Sequence, residues 1–401
     1  MNRAARRSSP LHLCRRPPMT ITDLHANEEL RRHEFPVVAN QVFLAHAAVC
    51  PLPRRVSEAV RDYAAAAASQ DQEQPVLADL IPRCRELAAR LIGAAPDEIA
   101  LVGPTSLALS FIAAGLPLRK GDNLVIYQDD YPSNVYPWMA LAARGVQVRL
   151  LPARGLGRIR PVDVLSQVDE DTRLVALASC HFISGWRLEL EAVGRVLAER
   201  RIAFSVDGIQ TLGALPTPAA AFDFTCADAH KWLLGPCGAG FLFVKRAWHG
   251  RLQPVVQGWH NVRCPDFVAQ DTLEFRPGAA RYEAGSHNLL GLAGLRAALE
   301  LILEVGVDAI AAELLRKRAW LVPALQAKGW NVMHPEAPEA NRSGIVTFDR
   351  PGEDMAALHR RLQEAGIETS LRTERSGRKW LRLSPHFYNT DAELHRVLEL
   401  L

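Results

Sequence analysis

Val206-Asp207-Gly208-Ile209-Gln210 and, farther on, Ala229-His230-Lys231-Trp232-Leu233-Leu234-Gly235-Pro236 are the two stretches that decide how this chain is read. Asp207 closes a short apolar run, Ala203–Asp207, of the length of a buried strand. Lys231 stands just past a second such run, Phe224–Ala227. Working outward, the same pattern recurs. Strands are expected at Glu98–Val102, Asn123–Tyr127, Val146–Leu151, Thr172–Ala178 and Gly240–Val244. Helices are expected at Ser106–Gly115, Trp138–Gly145, Pro161–Val168 and Leu190–Arg200. Such alternation predicts a mostly parallel sheet between helices, with functional residues at the carboxyl ends of its strands. After about residue 290 the pattern changes. Helical periodicity at Leu292–Val305, Val307–Ala327, Met355–Ala365 and Asp391–Leu400 mixes with strands at Trp330–Met333, Ser343–Phe348 and Leu381–Ser384. The division read from this is an α/β chain with a disordered N-terminal extension over residues 1–22, a large domain over 23–290 and a small α+β domain over 291–401.

The chemistry follows from where the charged residues fall. A carboxylate at a strand end, such as Asp207, reaches a heteroaromatic nitrogen lying in the crevice. A lysine just past the neighbouring strand, such as Lys231, can form a Schiff base with an aldehyde when burial and a nearby cationic ring lower its pKa. Together they suit pyridoxal 5′-phosphate, whose protonated pyridine ring is an electron sink. Gln210 is placed to hydrogen-bond the ring oxygen, and His230 to contact the phosphate or shape the substrate side. Thr105 and Ser106, in Gly103-Pro104-Thr105-Ser106-Leu107, open a helix. Hydroxyl residues there cap the helix and equally offer hydroxyl and N–H groups to a phosphate. Tyr131, in Asp129-Asp130-Tyr131-Pro132-Ser133-Asn134, is placed to stack on the cofactor ring. Each of these alone is an ordinary loop acid, surface lysine, structural histidine or turn tyrosine; their joint order and spacing carries the reading.

From about Val42 to Leu401 the chain resembles the class V aminotransferase family of fold type I PLP-dependent enzymes. It is closest in look to the isopenicillin N epimerase-like branch rather than to the cysteine desulfurases. The resemblance rests on His230-Lys231-Trp232-Leu233 with Gly235-Pro236, on Tyr131-Pro132-Ser133-Asn134-Val135-Tyr136-Pro137-Trp138, and on the terminal Leu381-Arg382-Leu383-Ser384-Pro385-His386-Phe387-Tyr388-Asn389-Thr390. It implies a fold type I transferase architecture, with Lys231, Asp207 and His230 as catalytic residues. It implies a cofactor held by Thr105, Ser106, Tyr131, Asp207, Gln210, His230 and Lys231. Arg382 would grip the substrate α-carboxylate as a fork. His46, in Phe43-Leu44-Ala45-His46-Ala47-Ala48, would lie near the substrate. Ser286, in Arg281-Tyr282-Glu283-Ala284-Gly285-Ser286, would complete the phosphate site of a partner subunit, which implies a homodimer with shared active sites. Two departures stand out. Many relatives carry His or Phe where this chain has Tyr131, and several carry a phosphate-contacting Ser where it has Asp228.

The implied substrate is an α-amino acid and the implied activity that of an aminotransferase or a C–S (β-elimination) lyase, with an epimerase as the alternative. A non-catalytic binding protein is the reading of another class; a degenerate member would lose Lys231 or Arg382, and both remain. A persulfide-forming desulfurase needs a mobile-loop cysteine. Leu371-Arg372-Thr373-Glu374-Arg375-Ser376-Gly377-Arg378-Lys379 contains none, and no cysteine follows Cys264. Composition sets the frame. A net charge of +3 from 47 basic and 44 acidic residues gives no support to nucleic-acid or membrane binding. Seven scattered cysteines without a C-x-x-C pair point to reduced thiols, a cytoplasmic setting and no metal. The excess of arginine before residue 22 reads either as a transit peptide or as an upstream start, with Met19 as the first residue.

Overall fold

The computed structural model describes residues 19–74 and 79–401. Thirteen strands occur among them: β1 (Val42–Phe43), β2 (Ile99–Val102), β3 (Asn123–Ile126), β4 (Gln147–Leu150), β5 (Thr172–Ala178), β6 (Ala203–Asp207), β7 (Phe224–Asp228), β8 (Gly240–Val244), β9 (Asn331–Val332), β10 (Val346–Asp349), β11 (Ile367–Glu368), β12 (Ser370–Thr373) and β13 (Lys379–Leu383).

Seven of them form the main sheet in the order β2-β8-β7-β6-β5-β3-β4. Every pairing is parallel except those of β8, which runs against both β2 and β7. Successive side chains of a strand point to opposite faces, and here both sets are apolar. Val125, Val175, Leu177, Phe204 and Phe241 pack into one layer, with the helices Leu80–Ile92 and Leu190–Glu199. Leu124, Ile126, Leu174, Ala176 and Leu242 pack into the other, with the helix Thr105–Gly115. The sheet is therefore an α/β layer covered on both faces, as its unbroken apolar runs require. No described helix is long and apolar enough to cross a membrane.

The last hundred residues build a four-stranded antiparallel sheet, β12-β13-β10-β9. The helices Met355–Glu364 and Asp391–Leu400 contribute Leu358, Leu362, Leu394 and Val397 to its core. The N-terminal strand β1 pairs in parallel with β11, Val42 opposite Ile367, so the segment leading to His46 is anchored on these C-terminal elements.

Several boundaries differ from the sequence expectation for local reasons. The helix expected from Leu292 begins at Leu289, because the Asn288 side chain accepts the Gly291 N–H at 3.0 Å. Trp138–Gly145 is a four-residue α-helix, Tyr136–Met139, followed by a tighter turn that ends at Gly145 with φ 78°. Of the extension expected over residues 1–22, residues 1–18 lie outside the described residues. Residues 19–22 are folded: Thr20 caps the helix Ile21–Ala26 in a reciprocal pair with Asp23. Arg31, in the next helix, bridges Glu28 and Glu393 at 2.7 and 2.8 Å and ties this segment to the last helix of the chain.

Candidate active site

The carboxyl ends of β2, β3, β5, β6 and β7 converge on one cavity of about 300 Å³. Thr105, Ser106, Tyr131, Asp207, Gln210, His230 and Lys231 all line it, together with Asp228, Phe182, Arg372 and Arg382. Seven positions read from the sequence as cofactor contacts thus share one crevice, joined by Arg382 from the small sheet.

Asp207 ends β6 at 2% exposure. Its Oδ1 accepts the Ile209 N–H at 3.0 Å, and its carbonyl accepts both the N–H and the hydroxyl of Ser179. Burial pushes its pKa up, opposed by the Ile209 N–H and the Lys231 charge. Gly208 follows because a Cβ there would stand 2.7 Å from Leu212 Cδ1 and 2.8 Å from Thr225 Oγ1. Lys231 is 6% exposed. Burial lowers its pKa to about 8, with Asp207 pulling the other way and Arg382 and Arg372 adding to the fall. Its Nζ lies 5.2 Å from the centre of the Tyr131 ring, which meets Phe182 edge-on. Gln210 is oriented from behind: its Oε1 accepts the Trp232 indole N–H at 2.9 Å and its Nε2 donates to the Ala47 carbonyl at 3.1 Å. One amide hydrogen remains for a ligand.

At the other end the helix Thr105–Gly115 starts without a side-chain cap, Pro104 occupying the cap position. Its first N–H groups are therefore unclaimed by a capping side chain, the arrangement that receives an anion. The Thr105 hydroxyl accepts the Asp228 N–H at 3.0 Å and keeps its own hydrogen to donate; Ser106 Oγ lies 2.7 Å from Ser133 Oγ. His230 Nδ1 lies 2.9 Å from Asp228 Oδ2, at an angle that makes no hydrogen bond.

Arg382 enters from β13. It is fully buried, donates to the Phe182 carbonyl and, at 3.3 Å, to Ser370 Oγ, and its Nε has no partner among the described residues. Burial drives its pKa well down, and the next cause is another guanidinium, Arg372. A buried cation with no acid beside it among the described residues is costly unless a ligand supplies the anion.

Two expected residues are elsewhere. His46 does not line the cavity; its neighbours Ala47, Ala48 and Val49 do. Its Nδ1 lies 2.9 Å from the Ser384 carbonyl and its Nε2 2.7 Å from the Tyr388 hydroxyl, so both ring nitrogens are already engaged within the protein. Ser286 lines a separate cavity of about 250 Å³ with Gly103 and Gly238.

Two residues were not singled out from the sequence. Arg372 faces the cavity from β12; its guanidinium donates to the Leu371 carbonyl at 2.9 Å. Asp130 is buried behind Tyr131, accepting the N–H groups of Tyr131 at 2.8 Å and Ala178 at 3.0 Å and the Asn134 amide at 3.0 Å. Burial, then the Asp207 charge, raises its pKa to about 7. An acid leaving a buried strand four residues before an asparagine was the available signal for it; Arg372 had none.

The donor set fits pyridoxal phosphate. It offers an uncapped helix start and hydroxyls for the phosphate, a buried carboxylate for the ring nitrogen, and a buried amine of lowered pKa for the aldehyde.

Comparison with known proteins agrees. The family model "Aminotransferase class-V" matches residues 42–397. A probable cysteine desulfurase of Methanothermobacter thermautotrophicus is 29% identical over 93% of this chain and 97% of its own length. The apo structure of a cysteine desulfurase from Thermococcus onnurineus superposes with a TM-score of 0.83 at 22% identity, over 93% of this chain and 96% of that one. The cystine C–S lyase C-DES, in complex with its reaction product cysteine persulfide, gives 0.82 at 23% identity, over 91% and 98%. With the family model spanning nearly the whole chain and the fold shared with these enzymes, the chain belongs to the aminotransferase class-V family of pyridoxal-phosphate-dependent enzymes.

Proposed function

We propose that this protein is a pyridoxal-phosphate-dependent aminotransferase or C–S lyase acting on an α-amino acid, with Lys231 as the cofactor-binding and proton-moving residue. One observation carries the reading: Lys231 and Arg382, both buried, open on the same cavity as Asp207 and an uncapped helix start.

In this reading Thr105, Ser106 and His230 hold the phosphate, Tyr131 stacks on the ring, and the free amide hydrogen of Gln210 meets the ring oxygen. Bound there, the cofactor supplies an electron sink for charge developed at the substrate Cα. Asp207 holds the proton on the ring nitrogen. Arg382 takes the α-carboxylate with its unpartnered edge and so fixes which Cα bond faces the sink. Lys231, whose pKa burial lowers to about 8, removes the Cα proton as general base. Phe182 and the Ala47–Val49 segment line that end of the cavity.

Sulfur transfer to an enzyme thiol is not part of the proposal, although relatives are named cysteine desulfurases. Thr373 and Lys379 are paired across a tight hairpin, whose tip is clamped by Arg375 on Asp129 at 2.5 Å. No cysteine lines the cavity among the described residues. Direct β-elimination needs neither a thiol nor a mobile loop. We further take residues 23–290 as the cofactor-binding domain and 291–401 as the small domain, in line with the two sheets. A homodimer is proposed on the exposed apolar side chains Trp259, Phe267, Val268 and Leu273, which lie on the same stretch of chain as Ser286. A reduced, cytoplasmic setting is proposed on the unpaired thiols of Cys50, Cys84, Cys180, Cys226, Cys237 and Cys264.

The test is to incubate the PLP-loaded protein with each of the twenty amino acids, with and without 2-oxoglutarate, following spectra and products. Pyruvate or sulfide released without keto acid identifies a lyase. Glutamate formed only with keto acid identifies an aminotransferase. An α-amino acid recovered with inverted configuration would replace both with the epimerase.

A further inference from the structure

The phosphate end of the cavity contains an acid. Asp228 ends β7 at 4% exposure and lines the cavity beside Thr105, Ser106 and His230. Its Oδ1 accepts the N–H groups of Ala229 at 2.7 Å and Ala239 at 3.2 Å; its Oδ2 accepts that of Gly238 at 3.0 Å. Its own N–H donates to the Thr105 hydroxyl. The carboxylate therefore builds the wall, shaping the Gly235–Gly240 turn and aiming Thr105. It cannot itself receive a phosphate, because an ionised carboxylate has no hydrogen to give and two anions in a poorly solvated crevice repel strongly.

A cation between them removes the conflict, and His230 is placed for it, with Nδ1 2.9 Å from Asp228 Oδ2. Only a doubly protonated imidazole can give one N–H to Asp228 and the other to an anion. We propose that Asp228 is a positioning residue: it orients His230 and stabilises its imidazolium, so that the Asp228–His230 pair presents an N–H to an anion at this end of the cavity. The anion recognised is a phosphate monoester. A small turn of the ring converts the 2.9 Å approach into the Nδ1–H···Oδ2 bond and leaves Nε2–H for the ligand.

The inference rests on the reading that the cavity takes pyridoxal phosphate, and the test separates the two. Apoprotein is titrated with pyridoxal 5′-phosphate and with pyridoxal, which lacks the phosphate, following tryptophan fluorescence. His230→Gln should weaken the phosphorylated ligand about tenfold, the scale of one charge-assisted hydrogen bond, and leave pyridoxal within about twofold. Asp228→Asn should weaken the phosphorylated ligand several-fold in the native background and hardly at all in the His230→Gln background. If Asp228→Asn or Asp228→Ser tightens the phosphorylated ligand, or if the two substitutions add independently, the pair does not act as proposed. Should the Asp228 variants fail to fold, the ¹⁵N-histidine spectrum of wild-type holoprotein decides, its His230 signals assigned by their loss in His230→Gln. Two protonated His230 nitrogens support the pair and a single one overturns it. Wild-type protein that binds neither ligand would refute the cofactor reading itself.

Discussion

The two walls of the cavity are finished differently. On the main-sheet wall buried groups of both signs lie together. Asp207 accepts a backbone N–H, Asp228 accepts three and lies against His230, and Lys231 feels Asp207. On the small-sheet wall Arg382 and Arg372 have carbonyl and hydroxyl partners but, among the described residues, no carboxylate; burial lowers the pKa of both, and the Arg372 charge adds to the fall at Arg382. On the proposed function, the difference separates a resident group from a transient one. A wall that serves a permanently bound cofactor can be saturated around it. A wall that grips a substrate and lets it go must keep its charge unspent between turnovers, at a cost in stability.

The largest effect should come from the saturated wall. In the proposed mechanism Lys231 both fixes the cofactor and moves the proton, and Lys231→Ala removes it. The visible band near 400 nm should be lost or displaced and turnover should fall by about three orders of magnitude or more, the scale of losing a nucleophile that is also the base. An unchanged band and unchanged turnover would remove the basis of the proposed function. Next comes the contrast itself. Arg382→Met should lower kcat/KM by about 100-fold through lost carboxylate binding, yet raise the stability of the apoprotein by about 1–3 kcal/mol, because an unpaired buried cation is exchanged for an apolar side chain. Asp207→Ala, on the other wall, should lose both activity and stability. Denaturant midpoints of the two apoproteins read the contrast directly; Arg382→Met destabilised as much as Asp207→Ala would erase it.

That division also explains what the sequence disclosed. The saturated wall was legible because its residues sit at the ends of buried parallel strands, where an apolar run leaves the acid of Asp207 or the amine of Lys231 as the conspicuous polar atom. The small-sheet wall was legible only at Arg382, through its motif. Arg372 lies among Arg375, Arg378 and Lys379 in a polar stretch, and nothing local distinguishes it. What turns it inward is register: Arg382 stands opposite Ser370, and Arg372, two residues on, shares that face. His46 shows the same dependence in reverse. The segment around it borders the cavity, but Ala47 to Val49 supply the lining while the imidazole points into the terminal motif. Ser286, within this chain, lines a separate cavity beside Gly103 and Gly238. The N-terminal helices at Ile21–Ala26 and Glu28–Glu34 were missed because their stability comes from caps and from Glu393, which is distant in sequence.

Arg372 sharpens the comparison further. It is less buried than Arg382 and already gives one N–H to Leu371. Arg372→Ala should therefore cost about tenfold in kcat/KM, an order of magnitude less than Arg382→Met, and act mainly on KM. A loss equal to that of Arg382→Met would mean that the two guanidiniums grip one carboxylate jointly.

The smallest catalytic effect is expected at His46, and its signature lies in pH. Burial lowers its pKa to about 4 from the usual 6.5, the Ser384 carbonyl opposing the shift. The folded protein therefore binds fewer protons at His46 than the unfolded chain between those values. Its contribution is fully present above about pH 6.5 and is lost as pH falls toward 4, by up to about 3 kcal/mol for one such group. His181, lowered to about 4 by the same cause, adds a second loss in the same window. His46→Asn should leave kcat/KM within about twofold at pH 8, since the ring does not reach the cavity. It should lower stability there by about 1–3 kcal/mol through the lost Tyr388 and Ser384 bonds, and flatten the acid limb of the stability curve by about one proton while the His181 step persists. A His46 variant that keeps the full acid slope but loses activity would place the imidazole back at the substrate, as the sequence had suggested.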